Sequence, residues 1–473
     1  MSSSFQIVKR NSGYSLVSSG MRLTTNSLLL ILIARFYGAE SFGQFATAHA
    51  LSTIFVLVAD FGIDLLLATQ VARNRADASA IFQHMLAIKI VFSTFAFVLM
   101  CLFPIVRGAT APVRYLTWML AFYMVGFTLL NFLFSLFRGE EELQHEAKTS
   151  IVMNLSLLAV LVVLGVLHAS IYLIAAAFVA SRLLGLSTAL LRSRDFVDSF
   201  RPKWDYGWFR GIGPDVRAFG LFVLFGNLFF TQDTILLAWW KGDHEVGIYQ
   251  AVFRLIVVSL VLADILVGAL LPTLTRFHGE KREEWTRLGT FANKTMLFCG
   301  LVLGVILVVY AQPIINLVYG RDNFAEAIPI MRIFGITVVV RYAVETPALL
   351  LTTARLQKSR TALVMGGTIL NFVLNFFAIP KFGGVGAAVV SCLTNMVLGA
   401  GYVIAIHPSF NLNGMRLNYI LPVLLSALLG AGLFFFDVPM TFGVPLVVCA
   451  IAAASYFLGY DSTERHLLVK GIR

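Results

Sequence analysis

The sequence predicts an all-α polytopic membrane protein of about 14 transmembrane helices, and three observations carry that prediction. Of 473 residues, 58% are hydrophobic and only 13% charged, against about 25% charged in ordinary soluble domains. Apolar stretches of about 20 residues, the length a helix needs to cross roughly 30 Å of hydrocarbon, recur along nearly the whole chain. Lys and Arg crowd the loops of one side and are scarce on the other. No segment is left for a sizeable soluble domain.

The fourteen spans fall at 14–37, 41–68, 84–104, 115–137, 150–168, 170–191, 217–240, 246–274, 289–311, 327–354, 360–379, 383–406, 417–436 and 441–460. The first follows a basic stretch, MSSSFQIVKR, but the apolar segment lacks a small-residue cleavage pattern and reads as a retained helix. The second is the most continuous of all. GEEELQHEA, 139–147, reads as a solvated acidic loop before the fifth span. Only His168 to Ser170 separates the fifth from the sixth. RSRDFVDSFRPKWDYGWFRGIGPDVR, 192–217, is a basic linker, and GGVGAA, 383–388, a tight turn before the twelfth span. The expected organisation is an N-lobe over 1–191, a cytoplasmic linker over 192–217 and a C-lobe over 218–406. The last two helices and a tail occupy 407–473.

The formal charge of +11 is a matter of topology, not of nucleic acid. Of 36 Lys and Arg, 23 fall on the side that carries both termini, 5 on the other and 8 within spans, with Arg217 and Arg360 at span edges counted as loop. By the positive-inside rule both termini lie in the cytoplasm. Contact with anionic membrane lipids is a secondary expectation. Cys101, Cys299, Cys392 and Cys449 all sit in apolar segments, as small core residues rather than a disulfide framework or zinc site.

GAESFGQFA at 38–46 and GDHEVGIYQ at 242–250 share one frame, 204 residues apart. The shift superposes Gly38 on Gly242, Gly43 on Gly247, Leu51 on Leu255 and Asp60 on Asp264. Gly38 and Gly242 suit the left-handed conformation that ends a helix, Gly43 and Gly247 keep the next first turn uncrowded, and Ser41 with Gln44 has capping-box spacing. A fainter match places Ala177, Val179, Ser181 and Leu183 on Ala387, Val389, Ser391 and Leu393. The repeat thus spans six helices. Six is even, so both copies enter the membrane alike, related by a pseudo-twofold axis along its normal, and a cavity for cargo is expected between them.

Polar side chains inside spans point to that cavity. Ser15, Ser18, Arg22, Thr25 and Asn26 form a stripe at helical spacing, as do His49, Thr53, Asp60 and Asp64. Further stripes are Asn227, Thr231 and Thr234; Gln250 and Arg254; Thr337, Arg341 and Glu345; and Asn371 and Asn375. Intramembrane charge is costly, and the cations Arg22, Arg254, Lys294 and Arg341 suggest an anionic ligand because guanidinium forks bind phosphate oxygens. Two alternatives stand beside that reading: Arg341 and Glu345 are spaced to neutralise one another, and Lys294 can snorkel from the end of its span. Asp60 and Asp264, being repeat-equivalent, are read as structural; Asp64 and Asp233 are the candidates for a coupling proton or sodium ion. No zinc-protease motif, Walker loop or nucleophile elbow occurs, so no cofactor is expected beyond such an ion, and DFG at 60–62 has no kinase context.

Four stretches, in order, carry a family resemblance: ARFYGAESFGQFATAHALSTIFVLVADFG, DTILLAWWKGDHEVGIYQAVFRL, INLVYGRDNFAEAIPIMRI and NFVLNFFAIPKFGGVGAAVVSCLTN. Over about residues 14 to 405 the chain resembles the polysaccharide transport family of the multidrug and oligosaccharidyl-lipid exporter superfamily. The resemblance implies two six-helix lobes, alternating access, and an undecaprenyl-pyrophosphate-linked oligosaccharide as cargo in a bacterial inner membrane. It also implies contact with polysaccharide-assembly enzymes. Arg22, Arg254 and Arg341 carry over only as cavity cations; the polar stripes and intramembrane charges, not the resemblance, add Lys294, Asn26, Asn371 and Asn375 as further headgroup or sugar contacts. The rivals are a cation-coupled drug exporter, which would want acids rather than bare cations, and a polytopic glycan-processing enzyme, which would want a large external catalytic loop.

Overall fold

The computed structural model describes the backbone of residues 2–320, 324–407, 409–410, 417–461 and 464–465. Side chains are described from Thr25 onward, apart from 214, 215, 217–219, 221–223, 225–227, 229, 230 and 417–419. The described residues form an all-helical membrane protein: α1 Ser2–Asp60, α2 Ile63–Arg73, α3 Ala78–Val106, α4 Ala111–Gly139, α5 Leu143–Val166, α6 Ile171–Ser193, α7 Tyr206–Trp240 and α8 Asp243–Glu280. There follow α9 Arg282–Val309, α10 Ala311–Tyr319, α11 Ala327–Thr353, α12 Gln357–Ile406, α13 Leu417–Phe435 and α14 Met440–Ala454. Ten helices among the described residues are long and apolar enough to cross a membrane. Each of the fourteen predicted spans has its helix, because α1 and α12 each hold two, joined at Gly38 (φ 72°) and Gly383 (φ 57°).

Three local expectations are corrected. Span 41–68 is interrupted: Phe61 (φ 37°) and Gly62 (φ 78°) separate α1 from α2, so Asp60 and Asp64 do not share one helical face. The DFG triplet is that break. The acidic run is a loop only over residues 140–142, with Glu141 at φ 62°. Glu146 is buried in the first turn of α5, where Arg138 holds it with bonds of 2.8 and 2.7 Å. Third, the loop expected after the ninth span contains α10, which Gly320 (φ 89°) ends.

By internal packing the chain forms two compact units, Met1–Gln250 and Ala251–Arg473. Lipid offers no hydrophobic drive for helices to associate, so close backbone approach and polar contacts must do it. In the first unit a core of Phe82, Phe132, Phe134 and Phe137 is enclosed by α2, α3 and α4, while Phe95 and Phe122 stand exposed on the outer surface. In the second unit α9 meets α11 through glycines: a Cβ at Gly304 would lie 2.3 Å from Val339 and 2.8 Å from the Gly335 carbonyl. At Gly399 of α12 a Cβ would meet Val344 of α11 at 2.4 Å. The added pair α13 and α14 docks on α9 through Phe298, Leu301, Leu433, Val447 and Ile451.

Candidate functional site

The repeated glycine frame forms a reciprocal contact within the Met1–Gln250 unit. Gly38 and Gly242 both take positive φ, 72° and 86°. A Cβ on Gly43 would lie 1.7 Å from the carbonyl oxygen of Asp243, and a Cβ on Gly247 would lie 2.0 Å from that of Ala39. Ala39 and Asp243 are themselves equivalent in the 204-residue register. Each helix start therefore rests on the other's, and only glycine lets both approach. Thr47 Oγ1 donates to Asp243 Oδ1 at 3.1 Å and fixes the same contact from the side.

Asp60 and Asp64 converge on a lysine that the polar-stripe argument missed. Lys89 of α3 is 0% exposed, with Nζ 3.1 Å from Asp60 and 2.7 Å from Asp64. The Asp64 backbone N–H donates to Asp60 Oδ1 at 3.0 Å, so Asp60 also caps the start of α2. Left-handed φ at a bulky residue costs on the order of 1–3 kcal/mol, and at Phe61 the paired ions and the packing of its ring hold it there. That ring stacks on Phe92 and lies so close to α7 that a Cβ on Gly220 would meet it at 2.4 Å.

Arg182 of α6 is a second intramembrane cation absent from the expected set. It is 7% exposed, with its guanidinium 5.1 Å from the rings of Tyr123 and Phe127. Nη1 lies 3.1 Å from Met153 sulfur, and no carboxylate pairs with it among the described residues. Aromatic faces do the work of an anion there. Its sequence signal is only a lone Arg in an apolar span, since Tyr123 and Phe127 stand on α4, two helices earlier. Asp233 of α7 accepts from the Tyr249 hydroxyl at 2.9 Å, and Gln250 bonds Thr234 beside it.

In the Ala251–Arg473 unit, Arg254 is half-buried on α8. Its Nε is buried without a hydrogen-bond partner, and its guanidinium lies 5.8 Å from the Phe253 ring. No ion pair reaches it among the described residues. Tyr319 anchors α10 nearby by donating to the Ala251 carbonyl at 2.8 Å. Arg341 pairs with Glu345 at 2.8 Å and reaches Asn395 at 3.5 Å. Asp264 is exposed and feels both of those charges, so the repeat-equivalent aspartates differ: Asp60 is bonded to Lys89, and Asp264 belongs to a looser charged group.

Lys294 of α9 is buried and bound to Glu464 at 2.7 Å, which ties α9 to the segment after α14. Asp461 and Glu464 bond one another's backbone N–H groups at 2.8 Å, a reciprocal cap that orients the Glu464 carboxylate. Asn371 and Asn375 are buried, with Asn375 Nδ2 donating to Asn371 Oδ1 at 3.0 Å. Asn26 is half-buried on α1, and the Arg22 side chain lies outside the described residues. Of the expected cations with described side chains, Lys294 is bound to an acid, Arg341 shares one, and Arg254 has no ion pair among the described residues. Among the described residues no group of three His, Cys, Asp or Glu side chains is arranged to hold a metal ion.

Comparison with known proteins places this geometry. The fold is similar to that of a lipid II flippase MurJ in an inward closed conformation, with a TM-score of 0.74 at 12% identity, over 94% of this chain and 98% of that one. It is also similar to an inward-facing multidrug resistance MATE family transporter of the MOP superfamily, at TM-score 0.66 and 15% identity, over 82% and 94%. An outward-facing conformation of such a transporter gives 0.56 at 15% identity, over 85% and 95%. No curated protein matches the sequence. The sequence model of the family described as "Polysaccharide biosynthesis protein" matches residues 8–278, more than half of the chain, a stretch that includes both glycine turns and the Lys89 cluster. The chain belongs to the polysaccharide biosynthesis protein family.

Proposed function

We propose that the protein is a flippase of a bacterial inner membrane, with both termini cytoplasmic, that carries an undecaprenyl-pyrophosphate-linked oligosaccharide outward by alternating access. No covalent bond of the cargo is made or broken. The observation that carries the reading is Arg254: an intramembrane guanidinium, half-buried, with an unsatisfied Nε and no acid in ion-pair reach among the described residues. Such a group is costly in an apolar setting unless an anion visits it, and a pyrophosphate offers the paired oxygens that a guanidinium fork takes. Arg341 assists while Glu345 tempers its charge, and Arg22 and Asn26 are further candidate cargo contacts. Lys294 is held by Glu464, and Asn371 and Asn375 are the candidate sugar contacts.

Family membership and a fold shared with a lipid II flippase support lipid-linked cargo. Should transport be coupled to an ion, Asp64 beside Lys89 and Asp233 beside Tyr249 are the candidate carboxylates to exchange a proton or sodium ion. The deciding experiment is reconstitution in vesicles with a labelled lipid-linked oligosaccharide, scoring label that becomes accessible on the far leaflet. Wild type is expected to move label, and Arg254→Ala with Arg22→Ala is expected to abolish movement at equal protein density. Undiminished movement by that variant would defeat the assignment, and gradient-driven efflux of a cationic dye in place of glycolipid would favour the drug-exporter reading.

A further inference from the structure

A cavity of about 730 Å³ opens in the Ala251–Arg473 unit where the end of α9, α10 and the start of α11 meet the turn between α13 and α14. None of the cations assigned to cargo lies in it. Its walls carry one positive and one negative side chain, Arg332 and Asp437, with the amides of Gln312 and Asn316 beside them. Arg332 has its guanidinium 5.0 Å from the Phe434 ring and a buried Nε without a partner. No ion pair or hydrogen bond joins Arg332 to Asp437, and neither is bonded through its side chain to any other described residue. Tyr310, only 3% exposed, lines the same cavity with a buried hydroxyl that has no partner.

Arg332 is half-buried with an unsatisfied Nε and Asp437 is exposed, so two opposite charges face one cavity without meeting. A ligand that brings a phosphate and an ammonium together satisfies both. The rim fixes what else that ligand carries. Phe434 of α13 and Leu317 of α10, both in the cavity wall, are 52% and 68% exposed, and Phe435 and Phe436, next in sequence, are 88% and 83% exposed. In a membrane protein such side chains face acyl chains, with aromatic rings concentrated at headgroup depth. Asp437 takes a left-handed φ of 46° in the α13–α14 turn, which fixes the backbone from which its carboxylate projects.

We infer that this cavity binds the headgroup of a zwitterionic, amine-bearing phospholipid, with Arg332 on the phosphate, Asp437 on the ammonium and the acyl chains running over Phe435, Phe436 and Leu317. The outward-facing leaflet as its source rests on the topology proposed above, with both termini cytoplasmic. The headgroup locks α13 and α14 to α10 and α11 at the membrane boundary. Gly443 of α14 is where that lock is tightest, since a Cβ there would collide with the Tyr310 hydroxyl.

The test is native mass spectrometry of the purified full chain, released from nanodiscs of phosphatidylethanolamine, phosphatidylglycerol or phosphatidylcholine. The wild type is expected to retain one phosphatidylethanolamine in preference to the others. Arg332→Gln removes a charge-assisted fork and is expected to weaken retention at least about tenfold, with Arg332→Lys in between. Asp437→Asn keeps a residue type that tolerates positive φ and is expected to erase the preference for phosphatidylethanolamine over phosphatidylglycerol. Should Arg332→Gln fail to fold, by gel filtration and circular dichroism, Arg332→Lys and Asp437→Asn carry the comparison. Equal retention of all three lipids by wild type, or variants that behave as wild type, would overturn the assignment. Displacement of the lipid by millimolar inorganic phosphate would instead identify a plain anion site and overturn it equally. Occupancy is read without any glycan movement, so this result and that of the flippase assay stand or fall separately.

Discussion

Replacing Lys89 by Met is expected to unsettle the Met1–Gln250 unit more than any other single charge removal there. Lys89 Nζ is completely buried and lies 2.7 and 3.1 Å from carboxylates that are themselves only 16% and 15% exposed. At an effective dielectric constant of about 20, each attraction amounts to roughly 5–6 kcal/mol. Desolvation of three ions, several kcal/mol apiece, offsets most of it, so the intact triad contributes little net stability. Removing the cation alone is different, because it leaves two adjacent carboxylates desolvated and repelling one another. The expected cost is about 3–5 kcal/mol. For a unit of this size that corresponds to a lowering of the melting temperature on the order of 10 °C.

The informative comparison is Lys89→Met against the triple variant with Asp60→Asn and Asp64→Asn. Asparagine at 60 keeps the carbonyl oxygen that accepts the residue-64 N–H, so the cap on α2 survives while the charge is lost. The triple variant should recover most of the stability, because burying neutral groups in place of a complete ionic cluster is close to neutral. Thermal unfolding in detergent, followed by tryptophan fluorescence and by retention of a monodisperse peak, measures both. A Lys89→Met protein melting within about 2 °C of wild type, or a triple variant no more stable than the single, would refute the reasoning.

Gly43→Ala and Gly247→Ala should each destabilise the protein, and the double variant should cost less than their sum, since one displacement opens a contact both share; melting curves of the three decide it. Lys294→Met should loosen the segment after α14 by stranding Glu464, seen as faster limited proteolysis near residue 464 with an unchanged N-terminal half. Arg182→Met, an unbranched apolar replacement that removes the charge, should cost less than Lys89→Met in the same melting assay, because no carboxylate is left unpaired. Arg138→Lys should lower stability by about 1–2 kcal/mol in chemical unfolding, because a lysine cannot reproduce the two-pronged grip on Glu146.

The helices were legible in the sequence because an apolar stretch long enough to cross hydrocarbon has few other uses. The interruption at Phe61 and Gly62 was not, because a Phe at positive φ contradicts local preference and is held there by residues about 25 to 160 positions away: Lys89, Phe92 and Gly220. Lys89 itself was visible as a charge in an apolar span, yet its partners were not, since helical spacing relates residues on one helix and Asp60, Asp64 and Lys89 stand on three. Glu146 was lost for a related reason. A run of acids reads as solvated until one of them proves to be in reach of Arg138 on the preceding helix.

The duplicated register explains why backbone features carried across the halves and charges did not. Gly38 with Gly242, and Gly43 with Gly247, serve a contact in which each copy presses on the other, so a change in one copy is constrained by the other. No such reciprocity binds the ionisable groups. The position equivalent to Lys89 is Asn293; the lysine of that half stands one residue further on and is bound to Glu464, beyond the repeat. Asp264, deprived of a lysine, is left exposed near Arg341 and Glu345. Arg254 likewise faces Ala50 in the register. A repeat that keeps its backbone contacts while its charges diverge makes the non-equivalent charged positions the first to substitute when transport is measured.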